Sequence, residues 1–231
     1  MPAAPERPIG LQFDQVEKRY GAVYALRNLT LAIGAGECVA IAGRNGSGKT
    51  TLLRVAAHLV QPGKGTVSYS GGADGLRPRI GFVAHATMVY DELTAEENLL
   101  FFAKLQAVVN PKKRVAELLK EVGLEERKDS LVRTFSRGMR QRVAIARALL
   151  PQPSLLLFDE PGTGLDAESG AWLTAHIGRL RDSGSTVLMS LHGESELARL
   201  ATRAIRLEGG GVIADTRRGA MFQSIFAGAA S

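Results

Sequence analysis

Two stretches near the start of the chain, LQFDQVEKRY (11–20) and YALRNLTLAI (24–33), alternate apolar and polar residues, as half-buried strands of an antiparallel sheet do. ECVAIAG (37–43) is apolar instead, the pattern of a strand buried on both faces. It runs into a glycine-rich turn and then a helical stretch from Thr50. GTVSYS (65–70) and RIGFVAH (79–85) read as further strands. From Thr94 to Gly123 the period lengthens, and Val115, Leu118, Leu119 and Val122 fall at i, i+3, i+4, i+7 on one helix face. SLLLFDE (154–160) and STVLMSLH (185–192) return to strands, separated by a helix from about Ala167 to Arg181. RAIRLEGG (203–210) and GVIADT (211–216) close as a hairpin, and GAMFQSIFAGAAS (219–231) is a weakly patterned tail with at most a short, fraying helix.

Strands alternating with helices imply a mostly parallel sheet flanked by helices. Without internal repeats or a dividing linker, the 231 residues read as one domain. Within it, 9–86 form an antiparallel β and phosphate-loop core, 87–152 a helical insertion, 153–216 the rest of the α/β core, and 217–231 a tail.

Composition narrows the class. With 45% hydrophobic residues the chain can bury a substantial core, and its net charge of +6 suits an anionic partner or a soluble basic surface. Cys38 is the single cysteine, which excludes an internal disulfide and a thiolate metal cluster. No apolar run is long enough to span a bilayer, and MPAAPERPIG lacks the apolar region of a signal peptide. The expected location is therefore cytoplasmic, with any membrane role peripheral.

The sharpest local signal is GRNGSGKT: Gly43, Arg44, Asn45, Gly46, Ser47, Gly48, Lys49 and Thr50 match G-x-x-x-x-G-K-[ST] between a strand and a helix. Glycines let backbone N–H groups curl around phosphate oxygens, and the helix N-terminus adds partial positive charge. Lys49 reaches the β- and γ-phosphates, and Thr50 offers a hydroxyl to Mg²⁺. In SLLLFDE a buried strand delivers two carboxylates to the sheet edge, where Asp159 is expected to hold Mg²⁺ and Glu160 to orient an attacking water. RTFSRGMRQRVAIARALL (133–150) carries five arginines and fits either a helix docking on nucleic acid or part of a catalytic site. Val143, Ala146 and Leu150 fall on one face of that helix, with Arg137, Arg140 and Arg147 on another.

These segments, in this order over about residues 9–216, resemble the nucleotide-binding subunits of ATP-binding cassette (ABC) transporters. The resemblance implies a P-loop ABC-type ATPase core, a mixed sheet with an N-terminal antiparallel β subdomain, and an inserted helical signature subdomain. It implies that Tyr20 stacks on adenine and that Gly43–Thr51, including Thr51, is the Walker A loop. Phe135, Ser136, Arg137, Gly138 and Met139 match the signature loop, which would cover ATP bound to a second copy in a head-to-tail homodimer. Glu160 follows Walker B as catalytic carboxylate, Gly164, Leu165 and Asp166 match the D-loop, and His192 matches the switch histidine. Implied partners are ATP with Mg²⁺ and separate integral membrane transporter subunits, on the inner face of the cell membrane. Nucleic acid is not expected, since no basic arm or second reading element accompanies the arginine-rich helix.

Departures refine this. His85 stands where the family commonly has a Mg²⁺-touching glutamine and is kept as a nucleotide and metal candidate, though imidazole is the poorer Mg²⁺ ligand. Arg137 replaces the first signature glycine and Met139 the glutamine. His85 and the run YDELTAEENL (90–99) resemble the CcmA group of haem exporters in cytochrome c maturation. Exporters of drugs, lipids or polysaccharides are the alternative. A soluble ABC ATPase of ribosomes or DNA is disfavoured by one cassette without a heptad insertion, and a GTPase by the lack of N-K-x-D. His58, His176 and Trp172 match no motif and are expected to be structural or surface residues.

Overall fold

The computed structural model describes residues 8–70, 79–193, 195–217 and 222–226. The two alternating stretches form β1 (Leu11–Tyr20) and β2 (Val23–Ile33), paired antiparallel. With β4 (Lys64–Tyr69) on the other side of β1 they make a three-stranded sheet in the order β2-β1-β4. The second sheet takes β3 (Cys38–Ala42), β5 (Ile80–Val83), β6 (Leu155–Asp159), β7 (Thr186–Ser190), β8 (Arg203–Glu208) and β9 (Gly211–Arg217) in the order β5-β6-β7-β3-β8-β9. Its pairs are parallel except β8 with β9, the antiparallel hairpin at its edge.

Every residue of β3, β6 and β7 is buried, and the two-residue period of the strands divides the interior into two cores. Val39, Ile41, Leu155, Leu157 and Leu188 pack towards the three-stranded sheet and α1 (Lys49–Ala56). Ala40, Leu156, Phe158, Val187 and Met189 pack towards the helices on the opposite face. These helices are α2 (Ala95–Leu105), α3 (Pro111–Glu121), α4 (Arg137–Leu149) and α5 (Ala167–Asp182).

The helical period expected from Thr94 to Gly123 resolves into two helices. Thr94 opens α2 with a reciprocal capping box to Glu97. Ala107 and Asn110 turn the backbone through positive φ, and Pro111, which has no N–H to donate, starts α3 at its first turn. Val115, Leu118, Leu119 and Val122 are all buried, as their spacing predicts. Of the arginines of α4, Arg147 is buried: it is 9% exposed, donates to the Met88 carbonyl at 2.7 Å and lies over the Phe102 ring. In the tail, Phe222, Ile225 and Phe226 are buried in the helical-side core around a short 3₁₀ turn, Gln223–Ile225. No helix among the described residues is long and apolar enough to cross a membrane.

Candidate functional site

The sheet order brings four strand ends to one edge. The glycine loop follows β3, the acidic pair ends β6, His192 follows β7 and His85 follows β5. In open α/β sheets this carboxyl edge is where ligands bind. A cavity of about 290 Å³ lies there, lined by Val23, Tyr24 and Ala25 of β2, by Asn45–Thr51 and by Glu160.

Gly48 caps α1 at φ +108°, and a Cβ at this position would run into the Ala25 carbonyl. Only glycine fits such a turn at such a distance. Lys49 is 5% exposed, and its Nζ donates to the Gly43 carbonyl at 2.7 Å and the Arg44 carbonyl at 3.2 Å. Burial holds its pKa below the ordinary lysine value, opposed by the nearby charges of Glu160 and Asp159.

Asp159 is 2% exposed, and its Oδ1 accepts from Thr50 Oγ1 at 3.0 Å and from Ser190 Oγ at 2.8 Å. Ser190 Oγ in turn accepts from the Glu160 backbone N–H at 2.9 Å. The parallel register, which sets Asp159 opposite Ser190, makes both contacts possible. Glu160 leaves the strand at φ +52°, an uncommon backbone region for a non-glycine residue, and turns its carboxylate between two imidazoles. Its Oε1 lies 2.8 Å from His192 Nε2, and its Oε2 lies 3.6 Å from His85 Nδ1.

A hydroxyl and a buried carboxylate at Thr50 and Asp159 are hard oxygen donors of the kind Mg²⁺ takes. The described residues contain no cluster of three or more metal-ligating His, Cys, Asp or Glu side chains. The two donors at Thr50 and Asp159 suit a cation that takes only one or two ligands from protein. His85 stands at the same edge, its Nδ1 3.6 Å from Glu160 Oε2 and its side chain 52% exposed.

The remaining sequence candidates fall elsewhere. Tyr20 is half exposed at the end of β1 and is not among the residues lining the cavity. Tyr24, which no motif flagged, lines it with its ring between the guanidinium groups of Arg19 and Arg27. Ser136 caps α4, its Oγ accepting from Met139 N at 3.2 Å. Gly138 packs so tightly on Ser169 that a Cβ would collide with its hydroxyl, and Arg137 lies against Gly164. Asp166 caps α5 by accepting from Ser169 N at 2.8 Å, and Leu165 packs against the helical-side core. None of Phe135, Ser136, Arg137, Gly138 and Met139 lines the phosphate-loop cavity of its own chain.

A second cavity of about 570 Å³ opens between α2, β5 and α4, lined by Ile80, Phe82, Met88, Phe102, Leu105 and Arg147 among others. Met88 and Leu105 are exposed at 63% and 67%, so this groove presents apolar surface.

Residues 26–163 match the family described as ABC transporter. The chain is 40% identical over 199 residues to the ABC transporter ATP-binding protein NatA of Bacillus subtilis, covering 83% of this chain and 81% of that protein. It is 33% identical to the linearmycin resistance ATP-binding protein LnrL of the same organism, over 88% of this chain and 68% of LnrL. With the Nod factor export ATP-binding protein I of Burkholderia orbicola it shares 35% identity, over 93% and 73%. Among solved structures, dimeric MJ0796, a bacterial ABC transporter cassette, superposes with a TM-score of 0.81 at 32% identity, over 91% of this chain and all of that one. The dimer of the same cassette bound to ADP and Pi superposes at 0.80. Motif order, sheet topology and these relatives agree, and the chain belongs to the ABC transporter family as one of its ATP-binding cassettes.

Proposed function

We propose that this chain hydrolyses ATP as one of two head-to-tail copies, powering export through separate membrane subunits from the inner face of the membrane. One observation carries the reading. The carboxylate of Glu160 stands on the phosphate-loop cavity, whereas the signature residues 135–139 line no part of that cavity in their own chain. That separation supports a second copy supplying Ser136 and Gly138, with the N-terminus of α4 adding its partial positive charge.

Lys49 exchanges its loop carbonyls for β- and γ-phosphate oxygens. Tyr24 on the cavity wall borders the nucleoside, and Tyr20, paired with the cavity-lining Val23, is proposed to stack on its base from outside the cavity. Thr50 and Asp159 would hold Mg²⁺. Bound there, Mg²⁺ would supply positive charge to offset that of the phosphates. Glu160 accepts a hydrogen bond from the attacking water and aligns it with the γ-phosphorus. His192 Nε2, 2.8 Å from Oε1, fixes that carboxylate and stands ready to donate to the γ-phosphate. The 3.6 Å approach of His85 supports a second restraint on the same carboxylate.

The groove beside Met88, Phe102 and Leu105 supports a docking place for an amphipathic helix of the membrane subunit, since it is apolar and adjoins the segment after His85. Haem is the cargo suggested by His85 and the run at 90–99. The likeness to the linearmycin resistance protein LnrL and to the Nod factor export protein favours the second reading, a drug, lipid or polysaccharide exporter.

Glu160→Gln is expected to bind Mg²⁺-ATP, dimerise by light scattering and lose turnover by about 10²-fold or more. A variant that stays monomeric at saturating Mg²⁺-ATP overturns the two-half-site reading. The same tagged variant, recovered with ATP from solubilised native membranes, identifies the polytopic partner by mass spectrometry. Haem-handling proteins in that fraction support the haem reading, and others support the alternative.

A further inference from the structure

The segment after His85 is pinned to the signature loop rather than left as a surface connection. Asn98 of α2, fully buried, accepts from Tyr90 N at 2.8 Å and donates to the carbonyls of Tyr90, Leu93 and Thr94, which fixes the turn at 90–94. That turn is stitched to the approach to α4 by backbone bonds. Arg133 N donates to the Asp91 carbonyl at 3.1 Å, Val132 N donates to the Leu93 carbonyl at 3.0 Å, and Thr94 bridges Leu131.

On this frame sits one side-chain clasp. Arg140, in the first turn of α4, donates from Nε to the Phe135 carbonyl and from Nη2 to the Arg133 carbonyl, at 3.3 and 3.1 Å. Its Nη1 pairs with Asp91 Oδ1 at 2.5 Å. Phe135 and Ser136 lead straight into α4, and Ser136 caps it by accepting from Met139 N at 3.2 Å, so the backbone of this pair sets where the hydroxyl and the first N–H groups of α4 sit. A planar fork that bonds two carbonyls and a carboxylate at once holds such a loop in one arrangement, which a lysine ammonium does not.

We propose that Asp91 and Arg140 are positioning residues that set the signature loop for the triphosphate bound by the partner copy. The inference rests on the two-half-site reading above. Asp91 touches no substrate. It orients Arg140, which orients the Phe135–Ser136 backbone, so its effect is on ATP-driven pairing and not on ATP capture at the phosphate loop of its own chain.

The test is made on the full chain carrying Glu160→Gln. Asp91→Asn, Asp91→Glu and Arg140→Lys are each added to it, and three quantities are read: ATP affinity of the dilute monomer, the dimer dissociation constant with Mg²⁺-ATP, and melting temperature. Asp91→Asn and Arg140→Lys are expected to weaken dimerisation by about threefold to tenfold, the range for a partly exposed charged clasp, with monomer ATP affinity unchanged. Asp91→Glu, which keeps the charge, should recover most of the loss. In chains that retain Glu160, the turnover lost by Asp91→Asn should return as enzyme concentration rises, which a general folding defect does not produce. If the Glu160→Gln parent pairs and Asp91→Asn pairs equally well, the proposal is overturned while the two-half-site reading stands. It is also overturned if ATP affinity and melting temperature fall in step with dimerisation. A parent that fails to pair removes both.

Discussion

The Ser190 hydroxyl stands between the two strands that end in the acidic pair and the histidine, donating to Asp159 and accepting from the Glu160 N–H. It is fully buried, so Ser190→Ala leaves an amide without that acceptor and Asp159 with one fewer donor. We expect a loss of about 1–2 kcal/mol in denaturant unfolding. Turnover should fall at least about tenfold with ATP affinity retained, because the turn that aims Glu160 is loosened. Parental turnover in that variant would remove Ser190 from this role. The residue was illegible in STVLMSLH because its task comes from the parallel register with β6, a partner 31 residues away in the chain. That Gly43–Thr51, Asp159, Glu160 and His192 meet at one sheet edge was legible because they lie in short contiguous runs at strand ends. Tyr24 escaped for the opposite reason: a tyrosine in an alternating strand carries no signal of what it will face.

Among the elements, α3, α4 and α5 are interlocked around His176, which the chain hides completely. Its ring stacks on Trp172, and Trp172 carries the Arg142 guanidinium on its face at 4.5 Å. Arg142 donates to the Val122 carbonyl, while His176 Nδ1 lies 3.0 Å from Arg179 Nη2. Burial, with the charges of Arg179 and Arg142, pulls the His176 pKa down from 6.5 to about 4, although Glu121 Oε1 lies 3.8 Å from its Nε2. The unfolded chain thus takes up this proton first. Stability should fall as pH drops from about 6.5 to about 4, by up to about 3 kcal/mol from this group, and should be insensitive to it above 6.5. Melting curves of His176→Gln and the parent across that interval should diverge, the variant showing the shallower slope. Equal slopes would exclude His176 as the source. The depth of this histidine was not legible because α5 has small and polar residues on several sides, and the burial of Arg147 was hidden in the same way. A guanidinium on a long stem can reach a carbonyl and an aromatic face while the rest of the side chain is covered.

For the molecule as a whole, topology was the most legible level. The change from alternating to fully apolar strands announced one antiparallel and one mostly parallel sheet, and the structure has both. What periodicity could not announce is where the signature residues end up, away from the cavity that the phosphate loop lines. That separation has a genetic meaning. On the proposed two-half-site reading, a chain with Lys49→Ala spoils the site it opens but still lends an intact signature loop, and a chain with Ser136→Arg does the reverse. Each allele alone gives pairs with no working site, whereas a mixed pair has one site assembled wholly from sound halves and one from damaged halves. Co-expressed in equal amounts with random pairing, the two silent alleles should restore about a quarter of the parental sites. ATPase assays of the two pure proteins and of their mixture read this directly: activity in the mixture alone means that the two lesions complement between neighbouring chains.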